Sequence, residues 1–278
     1  MTPVAGRDLI GYTVTLESDD AALRALFERA YAGFGVVARA DHHAVVEPDE
    51  EPGGATGVVL RLDGVPIARA DTVGGLVASL VGTLNRRALE ASGQVLVHAG
   101  AVERHGAGLV LPAPMEAGKT TLTAGLVRAG FRYLSDEAAV FDRATDRLVP
   151  YPKPLSLDRG SWPLFPELEP QGPFGDDAYK QTQWQVPATA IRPDALGDPC
   201  EARFVVFPTY APGAPTRLEP LARAEALVEI ATHTIRFDEE GPPTFALLAR
   251  VVRHAEVFRM PVGDLDTAVA LLIDLVGG

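Results

Sequence analysis

The amino-acid sequence predicts an α/β fold, and three observations support this fold class. Short apolar runs that are typical of buried strands alternate with segments whose apolar residues recur every three or four positions, as in amphipathic helices. The 278 residues are enough for one large domain, or for a core domain with a small appended lobe. Apolar residues make up 47% of the chain, which is ordinary for a globular protein that buries a core.

The charge and the cysteine content argue against several classes of protein. A net charge of −12 and a pI of about 4.9 disfavour broad binding to nucleic acid or to anionic membranes. Cys200, the single cysteine, cannot build a disulfide framework or a multi-cysteine metal site. The N-terminus lacks the features of a signal peptide, and no segment is apolar for long enough to span a bilayer. We therefore expect a cytoplasmic protein that binds neither nucleic acid nor membranes.

The first 90 residues are predicted to form a small α+β lobe. The predicted elements are strands at 8–16 and 36–46, a helix at 21–32, a hairpin around Asp63-Gly64 and a helix from about 72 to 91. No linker separates this lobe from the following residues. The predicted domains are therefore 1–90 and 91–278, and the lobe could instead be the flank of the main domain.

The stretch from Leu109 to Asp136 carries the clearest motif. It reads LVLPAPMEAGKTTLTAGLVRAGFRYLSD, an apolar strand, a loop, a helix and a strand that leads to an acidic residue. A phosphate-binding loop needs a tight turn between strand and helix, inward-facing N–H groups, a lysine for the phosphates and a hydroxyl that ligates Mg²⁺. Lys119 and Thr120 have these side chains. The predicted nucleotide-binding residues are Ala113, Pro114, Met115, Glu116, Ala117, Gly118, Lys119, Thr120 and Thr121.

The loop departs from the pattern G-x-x-x-x-G-K-[ST]. Ala113 stands where the pattern has glycine, and Glu116 puts a negative charge into a loop that should bind anions. Pro112 and Pro114 lack an N–H group. A plain strand–turn–helix with a surface lysine would explain the same residues. We prefer the nucleotide-binding interpretation because Gly-Lys-Thr-Thr follows an apolar strand and opens a helix, as the motif requires.

The predicted strands place three further groups near the loop. If 95–102 and 107–111 pair as a hairpin, His98 lies across from about Pro112, at the mouth of the loop. A hydrogen-bonded histidine at a strand end is the alternative. Asp136 and Glu137 follow the strand after the helix, where ligands bind in strand–helix–strand units. A carboxylate there could ligate Mg²⁺ or accept the proton of an attacking hydroxyl, and an exposed turn pair is the alternative.

The remainder of the chain continues the α/β pattern after one irregular segment. Residues 150–177 are rich in proline and glycine and are predicted to be a lid or a substrate-binding loop, with Lys153 and Arg159 as candidate contacts. The predicted elements that follow are strands at 188–192, 202–208 and 256–260 and helices at 223–233, 245–255 and 267–276.

The run VHAGAV…GLVLPAPMEAGKTTLTAGLVRAGFRYLSDEAAVFD resembles the catalytic core of the HPr kinase/phosphorylase family. It is most similar to the short HPr-kinase-like proteins found near peptide-maturation genes. The resemblance covers residues 95 to about 157 and, more loosely, the chain through the final helix. It implies a P-loop kinase core of the HPr kinase/PEP carboxykinase type, with a mixed sheet.

The resemblance also implies roles for individual residues. His98 matches the upstream active-site histidine of the family, and Lys119 and Thr120 match its P-loop lysine and Mg²⁺ ligand. Asp136 matches the carboxylate that deprotonates the acceptor serine, and Glu137 stands in place of a second aspartate. The resemblance therefore implies Asp136, His98 and Lys119 as catalytic residues. The metal ligands are taken as Thr120, Asp136 and Glu137, with ATP and Mg²⁺ as cofactors.

These observations support an ATP-dependent kinase that transfers the γ-phosphoryl group to a serine or another hydroxyl. The expected partner is a peptide or protein acceptor, for example a ribosomal precursor peptide, and a homo-oligomer is compatible with the sequence. Two alternatives stay open. Ala113 and Glu116 motivate a degenerate nucleotide-binding scaffold or regulatory module, and the same core would also serve a small-molecule kinase.

Overall fold

A computed structural model describes residues 1–49, 57–170 and 183–277. Its contacts divide the chain into two compact units. The first unit comprises Met1–Ser92 and Ser156–Pro187, and the second comprises Gly93–Leu155 and Ala188–Gly278. The sequence-based division into residues 1–90 and 91–278 stays a prediction about domains.

The first unit contains a sheet with two helices. The strands are β1 (Thr2–Pro3), β2 (Gly6–Leu9), β3 (Tyr12–Ser18), β4 (Gly35–Val37), β5 (His42–Pro48), β6 (Val58–Leu62) and β7 (Val65–Ala70), and the helices are α1 (Ala21–Ala30) and α2 (Val73–Ala91). The strand order is β4-β2-β3-β5-β6-β7, with β1 beside β3. The β3–β5 pair is parallel and the other pairs are antiparallel.

Both predicted helices and the predicted hairpin of this unit are confirmed, whereas two predicted strands are wrong in extent. The strand at 8–16 is two strands, because Ile10 and Gly11 have positive φ angles of 52° and 98° and turn the chain. The strand at 36–46 also divides, into β4 and β5. Asp20 caps α1 by accepting from the Leu23 N–H, and Thr72 caps α2.

Between Leu155 and Pro187 the described elements are short, as the proline content of this segment suggests. Strands β13 (Leu155–Asp158) and β14 (Gln183–Val186) pair, and two 3-10 turns lie at Trp162–Leu164 and Pro166–Leu168. Trp162 and Trp184 stack with their ring centroids 4.8 Å apart. Residues 171–177 of the predicted lid lie outside the described residues.

The second unit contains the sheet that carries the predicted motif. Its strands are β8 (Val95–Arg104), β9 (Ala107–Pro112), β10 (Arg132–Ser135), β11 (Ala138–Phe141), β12 (Leu148–Val149), β15 (Glu201–Tyr210), β16 (Glu219–Pro220) and β17 (Glu256–Val262). The order is β12-β11-β8-β9-β15-β17-β16, with β10 also beside β8. The β9–β15 and β15–β17 pairs are parallel and the others antiparallel, so the prediction of an α/β fold with a mixed sheet is confirmed.

Helices pack on both faces of this sheet. They are α3 (Lys119–Arg128), α4 (Ala188–Ile191), α5 (Arg223–Thr232), α6 (Phe237–His254) and α7 (Leu265–Gly277). Alternate residues of β8 from Val95 to Ala101 form one buried cluster with apolar residues of α5 and α6. On the opposite face, Gly100 of β8 faces Thr123 of α3, and Gly125 of α3 packs on Leu265 at the start of α7.

Two predictions for this unit need correction. Residues 188–192 were predicted as a strand, but Ala188–Ile191 is a short helix that follows β14. The helix predicted at 245–255 begins earlier, at Phe237, and is interrupted at Gly241, where φ is 53° and ψ is −134°. Within the described ranges, no helix is both long enough and apolar enough to cross a bilayer.

Candidate active site

The loop between β9 and α3 begins the candidate site. Strand β9 ends at Pro112 and α3 begins at Lys119. Gly118 occupies the N-cap with φ at 82°, a left-handed conformation that glycine adopts without strain. No described side chain caps this helix by a hydrogen bond, so the N–H groups of its first turn are available to an anion. The loop therefore leads into a helix whose N-terminus has no side-chain cap among the described residues.

The side chain of Lys119 turns back over the loop. It is only 6% exposed, and its Nζ donates to the carbonyl oxygens of Ala113 at 2.9 Å and Pro114 at 2.6 Å. An ammonium group has three donors, so one remains for an external acceptor. Burial lowers the pKa of Lys119 to about 8, although Asp136 and Glu137 act in the opposite direction.

Asp136 connects the loop to the end of β10. Its Oδ2 accepts a hydrogen bond from the Thr120 hydroxyl at 3.0 Å, and its Oδ1 lies 2.8 Å from the Tyr133 hydroxyl. Burial and the nearby Asp136 carboxylate raise the pKa of Tyr133 well above its ordinary value, so this phenol remains a donor. The predicted lysine, hydroxyl and carboxylate thus meet at the N-terminus of α3.

Lys153, a candidate contact of the irregular segment, lies beside the acidic pair. It is 1% exposed, and its Nζ lies 2.8 Å from Asp136 Oδ1. The same Nζ is 3.5 Å from Glu137 Oε2. Burial disfavours the charged ammonium, but the two carboxylates outweigh this effect and raise the pKa of Lys153. Lys153 therefore offsets negative charge of the acidic pair.

The structure places His98 beside the loop, one residue beyond the predicted register. Ala99 pairs with Pro112, so His98 lies just past the end of β9. Its Nδ1 lies 3.1 Å from the Glu137 carbonyl oxygen, while its buried Nε2 has no hydrogen-bond partner among the described residues. Burial and the Lys119 ammonium lower the pKa of His98, so the ring is neutral at pH 7.

His233 is a neighbour of the site that sequence reasoning missed. It ends the helix predicted at 223–233, and nothing in the sequence indicates a contact with the site. In the structure, its carbonyl oxygen accepts from the His98 N–H at 2.7 Å, and Ile235 donates to the Leu96 carbonyl oxygen. Residues 233–235 therefore extend the sheet beside β8 where β9 has ended. This bridge of three residues is too short to show the alternation of apolar and polar residues that indicates a strand.

The predicted residues thus fall into two groups. Lys119, Thr120, Asp136, Glu137 and His98 are brought together around the start of α3. The middle of the loop is open to solvent, since Pro114, Met115 and Glu116 are exposed, Met115 to 78%. Of the other predicted loop residues, Ala113 is buried, Ala117 and Thr121 are partly buried, and Gly118 is exposed.

The donor set is suited to a small hard cation that also binds phosphate. In the described residues there is no group of three or more His, Cys, Asp or Glu side chains that could hold a metal ion. Mg²⁺ does not need such a cage, since it takes one or two protein oxygens together with water and substrate phosphates. The Thr120 hydroxyl and the Asp136 carboxylate, 3.0 Å apart, are oxygen ligands of this kind.

Comparisons with known proteins give little further information. No protein-family model matches the sequence, and a search of curated proteins finds no match. Among solved structures, the chain is similar to the Hpr(Ser) kinase/phosphatase from Coxiella burnetii, with 13% sequence identity and a TM-score of 0.31. The match covers 66% of this chain and 93% of that one.

Proposed function

We propose that this protein is an ATP-dependent kinase that transfers the γ-phosphoryl group to a serine or another hydroxyl acceptor. The observation that carries the proposal is the meeting of three groups at the N-terminus of α3. Lys119 is held over its own loop, and Thr120 is hydrogen-bonded to Asp136. Phosphoryl transfer depends on positioning and charge stabilisation by such groups. Bound ATP and Mg²⁺ would supply the transferable group and offset its negative charge.

The residues present fit these cofactors. The first turn of α3 offers N–H donors without a side-chain cap in the described residues, and Gly118 leaves space above its backbone. Lys119 would bind the phosphates, and Thr120 with Asp136 would hold the metal ion. The exposed side chain of Glu116 is not enclosed in the loop, which reduces the conflict with a bound anion.

The two carboxylates differ in their surroundings. Both oxygens of Asp136 lie within hydrogen-bond distance of donors, and its side chain is 1% exposed, which suits an anchor for Thr120. The Glu137 side chain is 40% exposed, so the hydroxyl group of a phosphoryl acceptor can reach it. The family resemblance assigns proton acceptance to Asp136, whereas this difference in exposure favours Glu137. Neutral His98 would support the reacting groups through its buried Nε2.

Calorimetry with ATP and Mg²⁺, together with a phosphoryl-transfer assay on serine peptides and small alcohols, tests the proposal. Lys119→Ala should weaken ATP binding and abolish transfer. Asp136→Asn and Glu137→Gln should retain ATP binding. Loss of transfer in Glu137→Gln would identify Glu137 as the proton acceptor, whereas full transfer in this variant would leave that role to Asp136. Absence of any binding heat in the unmodified protein would rule against a kinase.

The runner-up is a degenerate nucleotide-binding module with a scaffold or regulatory role. Ala113, which is 1% exposed, carries a Cβ at the position where the motif has glycine. This module would bind ATP weakly and transfer nothing. Binding heat without transfer to any peptide or small alcohol would favour it over both kinase hypotheses.

A further inference from the structure

A cavity of about 450 Å³ lies at the opposite end of the β8–β9 hairpin from the candidate active site. The β8–β9 turn at His105-Gly106 forms one side of it. The six residues of β9 separate this turn from the loop before α3, which corresponds to roughly 17–20 Å. The cavity is therefore a different place from the loop, and its chemistry can be considered separately.

The walls of the cavity carry three arginines and three carboxylates. They are Arg104, Arg132, Arg192, Glu103, Asp194 and Asp198. Each carboxylate already has a donor. Arg132 lies 2.9 Å from Asp198 and 3.7 Å from Glu103, and Arg192 lies 2.7 Å from Asp194. These pairs leave little uncompensated negative charge to attract a cation.

Arg104 is the exception among the charged residues of this wall. Its guanidinium lies over the ring of Phe131, 5.4 Å from the centroid. No described residue forms a hydrogen bond or an ion pair with this guanidinium, and its Nη1 is buried without an acceptor. A buried charged donor without an acceptor is costly. The one uncompensated charge of the cavity is therefore positive and is held in place by an aromatic ring.

We propose that this cavity is a binding site for a small oxyanion, a carboxylate or a phosphate group, with Arg104 as its anchor. A guanidinium presents its N–H groups in a planar fork that matches two oxygens of such a group. The Phe131 ring lies next to the guanidinium without using its donors. The site suits an anion of low charge, because the other charges on its walls are paired with one another. The proposal is independent of the proposed function.

Because phosphate would also bind the loop before α3, the test is made in the Lys119→Ala protein. Titration calorimetry with inorganic phosphate and with succinate should show binding of at least one of them. Adding Arg104→Gln should weaken that binding at least tenfold. Arg250→Gln, in an exposed arginine that does not line the cavity, is the matched control and should leave it unchanged.

Asp198→Asn is a second test, which remains valid even if Arg104→Gln fails to fold. The Asp198 side chain is 82% exposed, so the fold should tolerate the change, and the loss of its charge should strengthen oxyanion binding several-fold. Binding of phosphate alone would assign the site to phosphorylated ligands, and binding of succinate alone to carboxylates. If neither probe binds at millimolar concentration, or if Arg104→Gln binds as well as its parent, the proposal is overturned.

Discussion

The ammonium group of Lys119 is nearly excluded from solvent and is held by two carbonyl oxygens of its own loop. The motif alone identifies Lys119 as the candidate phosphate lysine, because the motif depends only on local sequence. Its low pKa could not be predicted in this way, because burial by the rest of the fold causes it.

Nucleotide affinity should fall as the pH rises from 7 to 9. With a pKa of about 8, Lys119 in the free protein is mostly charged at pH 7 and only about one-tenth charged at pH 9. A phosphate ligand prefers the charged form, so binding above pH 8 must take up a proton and weakens by up to about tenfold per pH unit. Calorimetry at several pH values, in buffers of different ionisation enthalpy, measures both effects.

Lys119→Arg is the control for this pH dependence. Arginine stays protonated throughout this pH range, so the profile of this variant should be flat wherever it binds nucleotide. An unmodified protein with equal affinity at pH 7 and pH 9 would show that the charge of Lys119 does not contribute to binding.

Lys153 and Asp136 form a buried ion pair that the sequence did not indicate. The two residues are 17 positions apart, and Lys153 lies between prolines in a segment without periodicity. A buried charge is tolerated only with a partner. Because the partner of Lys153 is distant in sequence, no hydrophobic pattern predicts that this lysine is buried. The pair is a consequence of tertiary structure and has a measurable effect on stability.

Lys153→Met should destabilise the protein by about 3–5 kcal/mol, because it leaves the Asp136 carboxylate buried without its cation. The free energy of unfolding from urea titrations measures this effect. The double variant Lys153→Met/Asp136→Asn should recover part of the loss, since both charges are then removed. A double variant whose loss equals the sum of the single losses would contradict the buried pair.

At the scale of elements, the long periodic segments were predicted best. Helices α1 and α2, the β6–β7 hairpin and the unit from β8 to β11 follow from apolar periodicity and turn residues. The errors are one short element, the extent of two strands and the start of α6. Residues 188–191 form a single helical turn, which is too short for the helical period to differ from a strand. The predicted helix began after the turn signal Gly241-Pro242-Pro243, so the helical residues before this break were missed.

The contact between α3 and β8 determines where the loop residues lie. A Cβ built on Gly100 would come within 2.5 Å of the Thr123 Oγ1 of α3, so the helix packs here directly on the strand backbone. Thr123 is fully buried, and its Oγ1 has no hydrogen-bond partner among the described residues. The small residue in β8 is thus required by packing rather than by a turn.

Gly100→Ala should destabilise the protein by about 1–3 kcal/mol, because the added methyl group overpacks this contact. Thr123→Ala removes the opposing hydroxyl and should cost less, since that hydroxyl makes no hydrogen bond to a described residue. The combination of both changes should be more stable than Gly100→Ala alone. Urea titrations of the three variants measure this, and a double variant as unstable as the sum of its parents would refute the proposed contact.

At the scale of the whole molecule, the chain passes between the two units three times. The sequence shows no linker at these passages, and composition does not reveal that residues 156–187 cluster with the N-terminal segment. Such a grouping depends on long-range contacts, which a single sequence read in order does not display. Each unit nevertheless has its own sheet, so each can form a cooperative unit of folding.

The chain contains probes that report on the units separately. Trp162 and Trp184, its two tryptophans, lie in the first unit, and Cys200, its single cysteine, lies in the second. Cys200 is 2% exposed, and burial raises the pKa of its thiol to about 12, so it should not react with alkylating reagents before the second unit opens. Tryptophan fluorescence and thiol reactivity are therefore independent measures of unfolding.

Unfolding in urea should show two transitions that do not coincide. We expect tryptophan fluorescence to change at a lower urea concentration than Cys200 labelling, because Cys200 belongs to the large buried cluster formed by the sheet, α5 and α6. Far-UV circular dichroism, which reports on both units, should span the two transitions. If all three probes gave one midpoint and one slope, the two units would unfold as a single cooperative structure.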